Sequence, residues 1–218
     1  MCACALYNEC METNEDIFKL IKILTRSVVN GSKIESELDG DSLVLDNTKY
    51  ILNQTLRQLT LPAENIYISN KAYELWQKLS PKNYGIREVN YKQKVICENI
   101  EPIKVKVYKG SNLNPEKELI LQKGAEFIYN DVFHEDHIIP ISQIVKKLCE
   151  LEKADRLTNE NIFKILNSIT VCKMLKDEDR DIHEKSKRPQ STDEIIDKIY
   201  GSKMQIRRLI DIENEKTL

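Results

Sequence analysis

The segment from Phe133 to Pro140 concentrates the side chains of this sequence that could do chemistry. Within it, Asp136 offers a hard anionic oxygen for a divalent cation, and His137 offers an imidazole that titrates near neutrality. Consecutive residues of a strand point to opposite faces. Both side chains can therefore serve one site only if the strand ends there and the chain turns, which Pro140 would favour.

A second group of ligand-type residues lies downstream. Asp179 and His183 are four residues apart, a spacing that puts both on one face of a helix, one turn apart. Such a pair could grip one cation from a rigid support, and Asp136 would complete a three-ligand half-shell. Open coordination positions would remain for water and a phosphate oxygen. The sequence thus predicts that these two segments fold together.

The run Asp136-His137-Ile138-Ile139-Pro140, followed by Asn167 and then by a strand and a helix, resembles the ββα-metal core of the HNH endonucleases. The resemblance covers about residues 127–188. It implies that Asp136 binds a divalent metal, with Mg²⁺ preferred and Mn²⁺ an alternative. It also implies that His137 is the general base and that Asn167 braces the loop carrying this base.

The third element of the family is usually a His or Asn early in the final helix. Here that place holds two acids, Glu178 and Asp179, and His183 follows one turn later. The resemblance therefore makes all three candidate metal ligands. Two further departures are that the Cys-x-x-Cys pairs often flanking the family's core are absent, and that the connection between the strands is long and helical.

The resemblance implies hydrolysis of a phosphodiester bond. His137 would deprotonate a water that attacks phosphorus, and the cation would neutralise charge on the phosphate. His134 shares a strand face with Asp136, so a contact with phosphate or metal stands beside a plain surface role. A basic run would meet the nucleic-acid backbone beside the site, through Lys185, Lys187 and Arg188.

Each of these features also has a purely structural interpretation. Asp136 and His137 could be a polar strand end. The acids of residues 177–181 could form the first turn of a solvated helix, since acids favour that end of the helix dipole. Asn167 could be no more than a helix C-cap, and the basic run could simply face water.

Composition narrows the class of protein. The chain has 218 residues, of which 41% are apolar, and its 33 basic and 35 acidic residues give a net charge of −2. These values suit a globular protein in which any polyanion must be met by a local basic patch. The six cysteines include no Cys-x-x-Cys pair, which favours reduced thiols, with a soft-metal site at Cys2, Cys4 and Cys10 as the alternative. Neither a secretion signal nor a membrane span is evident, so a cytoplasmic microbial protein is expected.

Periodicity predicts an α+β fold in two parts. Residues 1–82 form a helical N-terminal lobe, suited to DNA recognition, with a first helix ending at Gly31, a second beginning at Asp46 or Asn47 and a third capped by Asn70. Residues 83–218 hold central strands, the HNH core and C-terminal helices. Strands are predicted at 85–99, 103–108, 119–121, 126–139 and 169–175, and helices at 141–151, 162–166 (capped by Thr158), 178–183 and 204–212.

The function favoured by these observations is a metal-dependent DNA endonuclease of the HNH type, best suited to a restriction enzyme. Palindromic double-strand cleavage would suggest a homodimer. Two alternatives stay open. One is a nucleic-acid- or partner-binding module with an inactive, degenerate HNH core, and the other is a toxin or phage nuclease.

Overall fold

The computed structural model describes residues 15–37, 43–59, 61–90, 92–108, 117–182, 196, 200 and 204–215. Its helices are α1 (Glu15–Glu37), α2 (Leu43–Arg57), α3 (Asn70–Leu79), α4 (Tyr129–Val132), α5 (Ile141–Lys153), α6 (Asn159–Asn167), α7 (Lys176–Asp181) and α8 (Leu209–Glu215). Its strands are β1 (Ile66–Ser69), β2 (Lys94–Ile96), β3 (Ile103–Val107), β4 (Lys117–Leu121), β5 (Glu126–Ile128), β6 (Phe133–His137), β7 (Val171–Leu175) and β8 (Ile206–Arg208). The predicted α+β class is confirmed.

The described chain forms two compact units. The first contains the residues up to 59 and those from 140 to 169, and the second contains 61–139 and the residues from 170 onward. This division differs from the predicted boundary at residue 82. Residues 61–82 contain β1, which pairs with strands far away in the sequence. Residues 140–169 belong to the same unit as the N-terminal helices. Such long-range pairing leaves no mark on local periodicity.

The first unit consists of α1, α2, α5 and α6. Helix α1 buries an apolar stripe at helical spacing that includes Phe18, Ile21 and Val28. The ring of Phe18 meets that of Phe163 edge-on, with centroids 6.4 Å apart. Helix α1 continues past Gly31, the predicted end, to Glu37. A glycine inside a helix costs only about 1 kcal/mol relative to alanine, which packing of an apolar face readily offsets.

The second unit is built on a four-stranded mixed sheet with the order β6-β7-β1-β8. Strand β7 is antiparallel to β6 and parallel to β1, and β8 is antiparallel to β1. Two antiparallel pairs, β2 with β5 and β3 with β4, accompany this sheet. Strand β6 and strand β8 thus form the two edges of the four-stranded sheet.

Two apolar clusters of the second unit use residues from opposite faces of β6 and β7. One is aromatic at its centre, where the rings of Tyr129 and Phe133 stack with centroids 4.9 Å apart and Trp76 meets Phe133 edge-on. The other cluster, which we call the Tyr200 face, consists of Tyr67, Ile138, Cys172, Met174, Ile182, Tyr200 and Met204. This second cluster lies on the same face as Asp136, whose carboxyl group accepts a hydrogen bond from Tyr200.

Several predicted elements need correction. The N-cap of the third helix is Ser69 and not Asn70, and only Lys94–Ile96 of the expected strand over 85–99 is a strand. The segment expected to be entirely helical up to residue 80 contains the buried strand β1. The expected strand over 126–139 is interrupted by the helical turn α4, and the expected last helix begins as strand β8. The elements β1, α4 and β8 have only three or four residues each, which is too short for a period to be read from the sequence.

Within the described residues, no helix has both the length and the apolar character needed to cross a membrane. The cysteines at positions 2, 4 and 10 lie outside the described residues.

Candidate functional site

The candidate site is built on the pairing of β6 with β7 and on the helix that follows β7. In the antiparallel register Asp136 lies opposite Cys172 and His137 lies opposite Val171. Helix α7 begins at the residue after β7 ends, and it contacts both strands. The two antiparallel strands and the helix are therefore neighbours in space, although residues 140–169 separate the two strands in the sequence.

Asp136 is held inside the second unit. Its side chain is only 6% exposed, and its Oδ2 accepts a hydrogen bond of 2.6 Å from the hydroxyl of Tyr200. A buried carboxyl group without a hydrogen-bond donor would be costly, so this bond offsets part of the cost of burying Asp136. No sequence motif points to Tyr200, which lies 64 residues downstream.

The alternation of side chains along β6 separates Asp136 from His137. Asp136 contacts Tyr200, and Ile138 belongs to the same cluster, so both lie on the Tyr200 face. The intervening His137 then projects from the opposite face. Strand β6 does end at His137, as the sequence analysis requires for a shared site, but Ile138 continues the pairing by donating its N–H to the carbonyl of Thr170.

The histidine that shares the face of Asp136 is His134. Its Nε2 lies 3.6 Å from Oδ1 of Asp179, which places a carboxylate of α7 beside an imidazole of β6. The side chains are 28% and 14% exposed, so solvent still reaches the pair. The structure thus places three of the predicted site residues on one side of the sheet. Asp136 and His134 lie on the strand, and Asp179 of the helix lies beside His134.

A lysine missed by the sequence analysis lies next to this pair. Lys176 is the first residue of α7, and its Nζ donates a hydrogen bond of 3.4 Å to the carbonyl of Tyr108. Burial lowers the pKa of Lys176, and the nearby carboxylates of Asp131 and Asp179 oppose that change. The cation adjoins the predicted acidic cluster, but nothing in the spacing of residues 176–181 distinguishes it from an ordinary surface lysine.

Glu178, a predicted metal ligand, makes two hydrogen bonds within the protein. Its Oε2 accepts hydrogen bonds from the hydroxyl of Ser69 at 2.5 Å and from the N–H of Leu175 at 3.0 Å. The second bond is the reach of a helix residue back to its own N-terminus, and the first ties α7 to β1. These contacts account for the burial of Glu178 without a metal ion.

The other predicted residues belong to the first unit or lie outside the described part of the chain. Asn167 is the last residue of α6 and belongs to the first unit, whereas Asp136 and His137 belong to the second. Ser168 is the C-cap of α6, so Asn167 is not itself the cap. Four predicted residues lie outside the described part of the chain: His183, Lys185, Lys187 and Arg188.

Among the described residues, no group of three or more His, Cys, Asp or Glu side chains is close enough to hold a metal ion. The fourth predicted donor, His183, is not among them. The described residues offer a carboxylate–imidazole pair, Asp179 with His134, beside Lys176, and the buried carboxyl group of Asp136 on the same face of the sheet.

Comparisons with protein families, with curated proteins and with solved structures give no match to this chain.

Proposed function

We propose that this protein is a metal-dependent endonuclease of the HNH type that hydrolyses DNA phosphodiester bonds, with a restriction enzyme as the favoured biological role. The observation that carries the proposal is the approach of Asp179 on α7 to His134 on β6, on the face that also carries Asp136. The sequence resemblance implies the same order of elements, namely strand, strand and helix, with ligand-type residues at these positions.

The donor chemistry fits a hard divalent cation. Mg²⁺ keeps several waters and is commonly bound by only one or two carboxylates together with substrate phosphates, so a complete protein cage is not required. Asp136 and Asp179 would hold the ion, with His183 as a further predicted ligand. When bound, the ion would neutralise charge on the phosphate and on the leaving oxygen.

Two histidines are candidates for the general base, and experiment must decide between them. The resemblance gives this role to His137, whereas His134 is the imidazole on the same face as Asp136. A general base must be within hydrogen-bond reach of the water that it activates. The proposal therefore requires that at least one of these imidazoles is essential, and the geometry favours His134.

The proposal is tested with supercoiled plasmid in Mg²⁺ or Mn²⁺. The wild-type protein should cut it, and discrete fragments would indicate a restriction enzyme whereas a smear would indicate a nonspecific nuclease. Asp136→Asn should lower the rate at least about 100-fold, and so should either His134→Ala or His137→Ala. Intact plasmid with wild-type protein across a series of divalent metals would overturn the proposal.

A second candidate is a DNA- or partner-binding module with an inactive core. It is favoured by the separation of Asp136 and His137 on β6 and by the commitment of Asp136 to Tyr200. Binding of a DNA duplex without cleavage would support this alternative. In both cases the setting that we propose is the cytoplasm of a microbe, and cleavage of both strands of a palindrome would require a homodimer.

A further inference from the structure

We propose that a basic surface shared by α2 and α5 in the first unit binds the phosphate backbone of a DNA duplex. This surface, which we call the α2–α5 surface, consists of the exposed side chains of Lys49, Tyr50, Arg57, Lys146 and Lys153. The inference rests on the proposed function for its ligand class, but it uses two helices that contain none of the residues proposed for the nuclease site. The sequence resemblance assigns no role to either helix.

Helix α2 carries its basic residues beside its buried stripe. Leu52 and Leu56 are buried, whereas Lys49 and Arg57 are exposed. Lys49 and Arg57 are eight residues apart, so they lie on one side of the helix, about 12 Å apart along its axis. Tyr50 is 63% exposed beside Lys49, and its hydroxyl adds a neutral hydrogen-bond donor for a phosphate oxygen.

Helix α5 has the same arrangement. Its buried residues include Ile144 and Leu148, and Lys146 and Lys153 are exposed. These two lysines are seven residues apart, or about two turns, so they lie on one side of the helix. The half-buried Cys149 lies between them, towards the same side.

The thiol of Cys149 shows that the two rows of positive charge are neighbours. Burial raises the pKa of this thiol, and the positive charges of Lys153 and Lys49 oppose that rise. Lys153 belongs to α5 and Lys49 to α2, and the two helices pack against each other. Packed helix axes are about 8–10 Å apart, so the α2–α5 surface measures roughly 10 by 12 Å.

The charges on this surface are only partly compensated. Lys146 lies 4.0 Å from Glu150, which is the acid on this side of α5. None of the other three cations forms an ion pair with another described side chain. Even when Asp46, the one acid of α2, is counted against them, four cations stand against two acids. The surface therefore suits an anionic partner.

A DNA duplex has the charge density that this surface requires. It carries one negative charge per about 1.7 Å of its axis, or roughly seven over 12 Å, so it offers more phosphates than the surface has cations. Each contact releases a condensed counterion, which is the source of the affinity. Contacts of this kind fix the position of the duplex on the protein without reading its sequence.

The test measures binding of a fluorescent DNA duplex of about 20 base pairs by anisotropy in EDTA, because a phosphate contact needs no metal. Lys49→Gln combined with Lys153→Gln should weaken binding about tenfold and reduce the slope of log K against log salt by about 2. Tyr50→Phe removes no charge, so it should weaken binding about threefold without changing the slope. Glu150→Gln removes an opposing charge and should tighten binding.

The matched control is Lys19→Gln combined with Lys164→Gln. These exposed lysines lie on α1 and α6, where they pair with Glu15 and Glu160. The control changes the net charge by the same amount without touching the α2–α5 surface, so its affinity and salt slope should stay close to those of wild type. Equal affinities of the wild type and the Lys49 and Lys153 double variant would overturn the inference, as would equal losses in the two double variants.

A second measurement locates the bound duplex. Cys149 is alkylated with iodoacetamide, and mass spectrometry of its peptide gives the rate. A saturating duplex should slow this reaction several-fold, because the phosphate backbone would cover the thiol between the lysines of α2 and α5. An unchanged rate at Cys149 would contradict binding at this surface.

Competition experiments test the chemistry of the partner. Polyglutamate at the same concentration of charge should compete more weakly than unlabelled DNA, because an extended polypeptide carries only one charge per roughly 3.5 Å. Equal competition by polyglutamate would assign the surface to an acidic protein and overturn the inference. Tighter binding of duplex RNA than of duplex DNA would also overturn it.

The outcomes separate this inference from the proposed function. If the duplex is bound through the α2–α5 surface but plasmid is never cut in any divalent metal, the inference stands and the nuclease proposal fails. If the wild-type protein cuts plasmid and the Lys49 and Lys153 double variant binds the duplex as tightly as wild type, the nuclease proposal stands and the inference fails. A wild-type protein that neither binds nor cuts DNA overturns both.

Discussion

The hydroxyl of Tyr200 lies 2.6 Å from Oδ2 of Asp136, and both side chains are buried. The bond fixes the carboxylate of a strand residue through a tyrosine that belongs to a distant part of the chain. This hydrogen bond therefore has two effects. It gives a buried carboxyl group a hydrogen-bond donor, and it orients a carboxylate that the sequence resemblance makes a metal ligand.

Tyr200→Phe removes this donor and nothing else of comparable size. We expect the free energy of unfolding to fall by about 1–3 kcal/mol, because the carboxylate stays buried while it loses a partner. If Asp136 binds metal, the affinity for Mn²⁺ should also fall about 10–100-fold, since the carboxylate is no longer oriented. Urea unfolding measures the first quantity and titration calorimetry the second.

Tyr129→Phe is the control for that change. Tyr129 is also fully buried, but its hydroxyl has no hydrogen-bond partner among the described residues, and burial raises its pKa well above the usual range. Loss of this hydroxyl should leave stability unchanged or slightly increased. Equal effects of the two substitutions would contradict the importance of the Tyr200 bond.

Glu178→Ala tests whether this predicted ligand is structural. We expect a loss of roughly 2 kcal/mol or more in the free energy of unfolding, because both the Ser69 hydroxyl and the Leu175 N–H lose a charged acceptor. The affinity for Mn²⁺ should stay within twofold of wild type. Urea unfolding and calorimetric titration of the same preparation give both values.

Glu160→Ala is the matched surface substitution. Glu160 is an exposed residue of the first turn of α6, where it pairs with Lys164 one turn later. Its removal should leave the free energy of unfolding almost unchanged, as for other exposed helix pairs. A Glu178→Ala protein of normal stability that no longer binds Mn²⁺ would restore the predicted role as a ligand.

How far the sequence determines the fold is clear from individual elements. Helix α6 was predictable because its apolar period is clear and Thr158 caps it, with Oγ1 accepting from the N–H of Asn161 at 3.2 Å. Strand β1 was not, because its four residues are all buried and show no alternation. Only its long-range pairing with β7 and β8 makes it a strand.

The same limit applies to the candidate site. The sequence identifies Asp136 and Asp179 as ligand-type residues, but local spacing cannot say which histidine of β6 meets α7. That depends on which face of the strand packs beneath the helix. The hydrogen-bond partner of Asp136 could not be predicted either, because nothing in the sequence around Tyr200 indicates a contact with residue 136.

Asp179→Asn tests the side of the sheet on which metal would bind. If the ion is held on the face of Asp136, this neutral substitution should weaken Mn²⁺ binding about tenfold or more, because a carboxylate ligand loses its charge. His137→Ala is the comparison, since β6 projects His137 from the other face, and its Mn²⁺ affinity should not change. A calorimetric titration in which only His137→Ala weakens binding would reverse this assignment.

The opposite face of the same two strands carries a buried ion pair. Glu135 lies opposite Lys173, whose Nζ donates to Oε1 of Glu135 at 2.5 Å and to the carbonyl of Val89 at 3.0 Å. The Lys173 side chain is only 3% exposed, and its Nζ lies 5.3 Å from the centre of the Tyr129 ring. A cation at this depth depends on each of these partners.

Glu135→Leu should therefore lower the free energy of unfolding by about 3 kcal/mol or more, because it leaves a buried ammonium group without its counter-charge. Glu135→Leu combined with Lys173→Met should be much less destabilising, since an apolar pair of similar volume often replaces a buried ion pair at little cost. Urea unfolding of both single variants and the double variant gives the coupling energy.

The control is Lys104→Ala, which breaks the exposed pair with Glu118 and should lower the free energy of unfolding by less than about 1 kcal/mol. Additive losses at Glu135 and Lys173 would show that the two charges do not depend on each other.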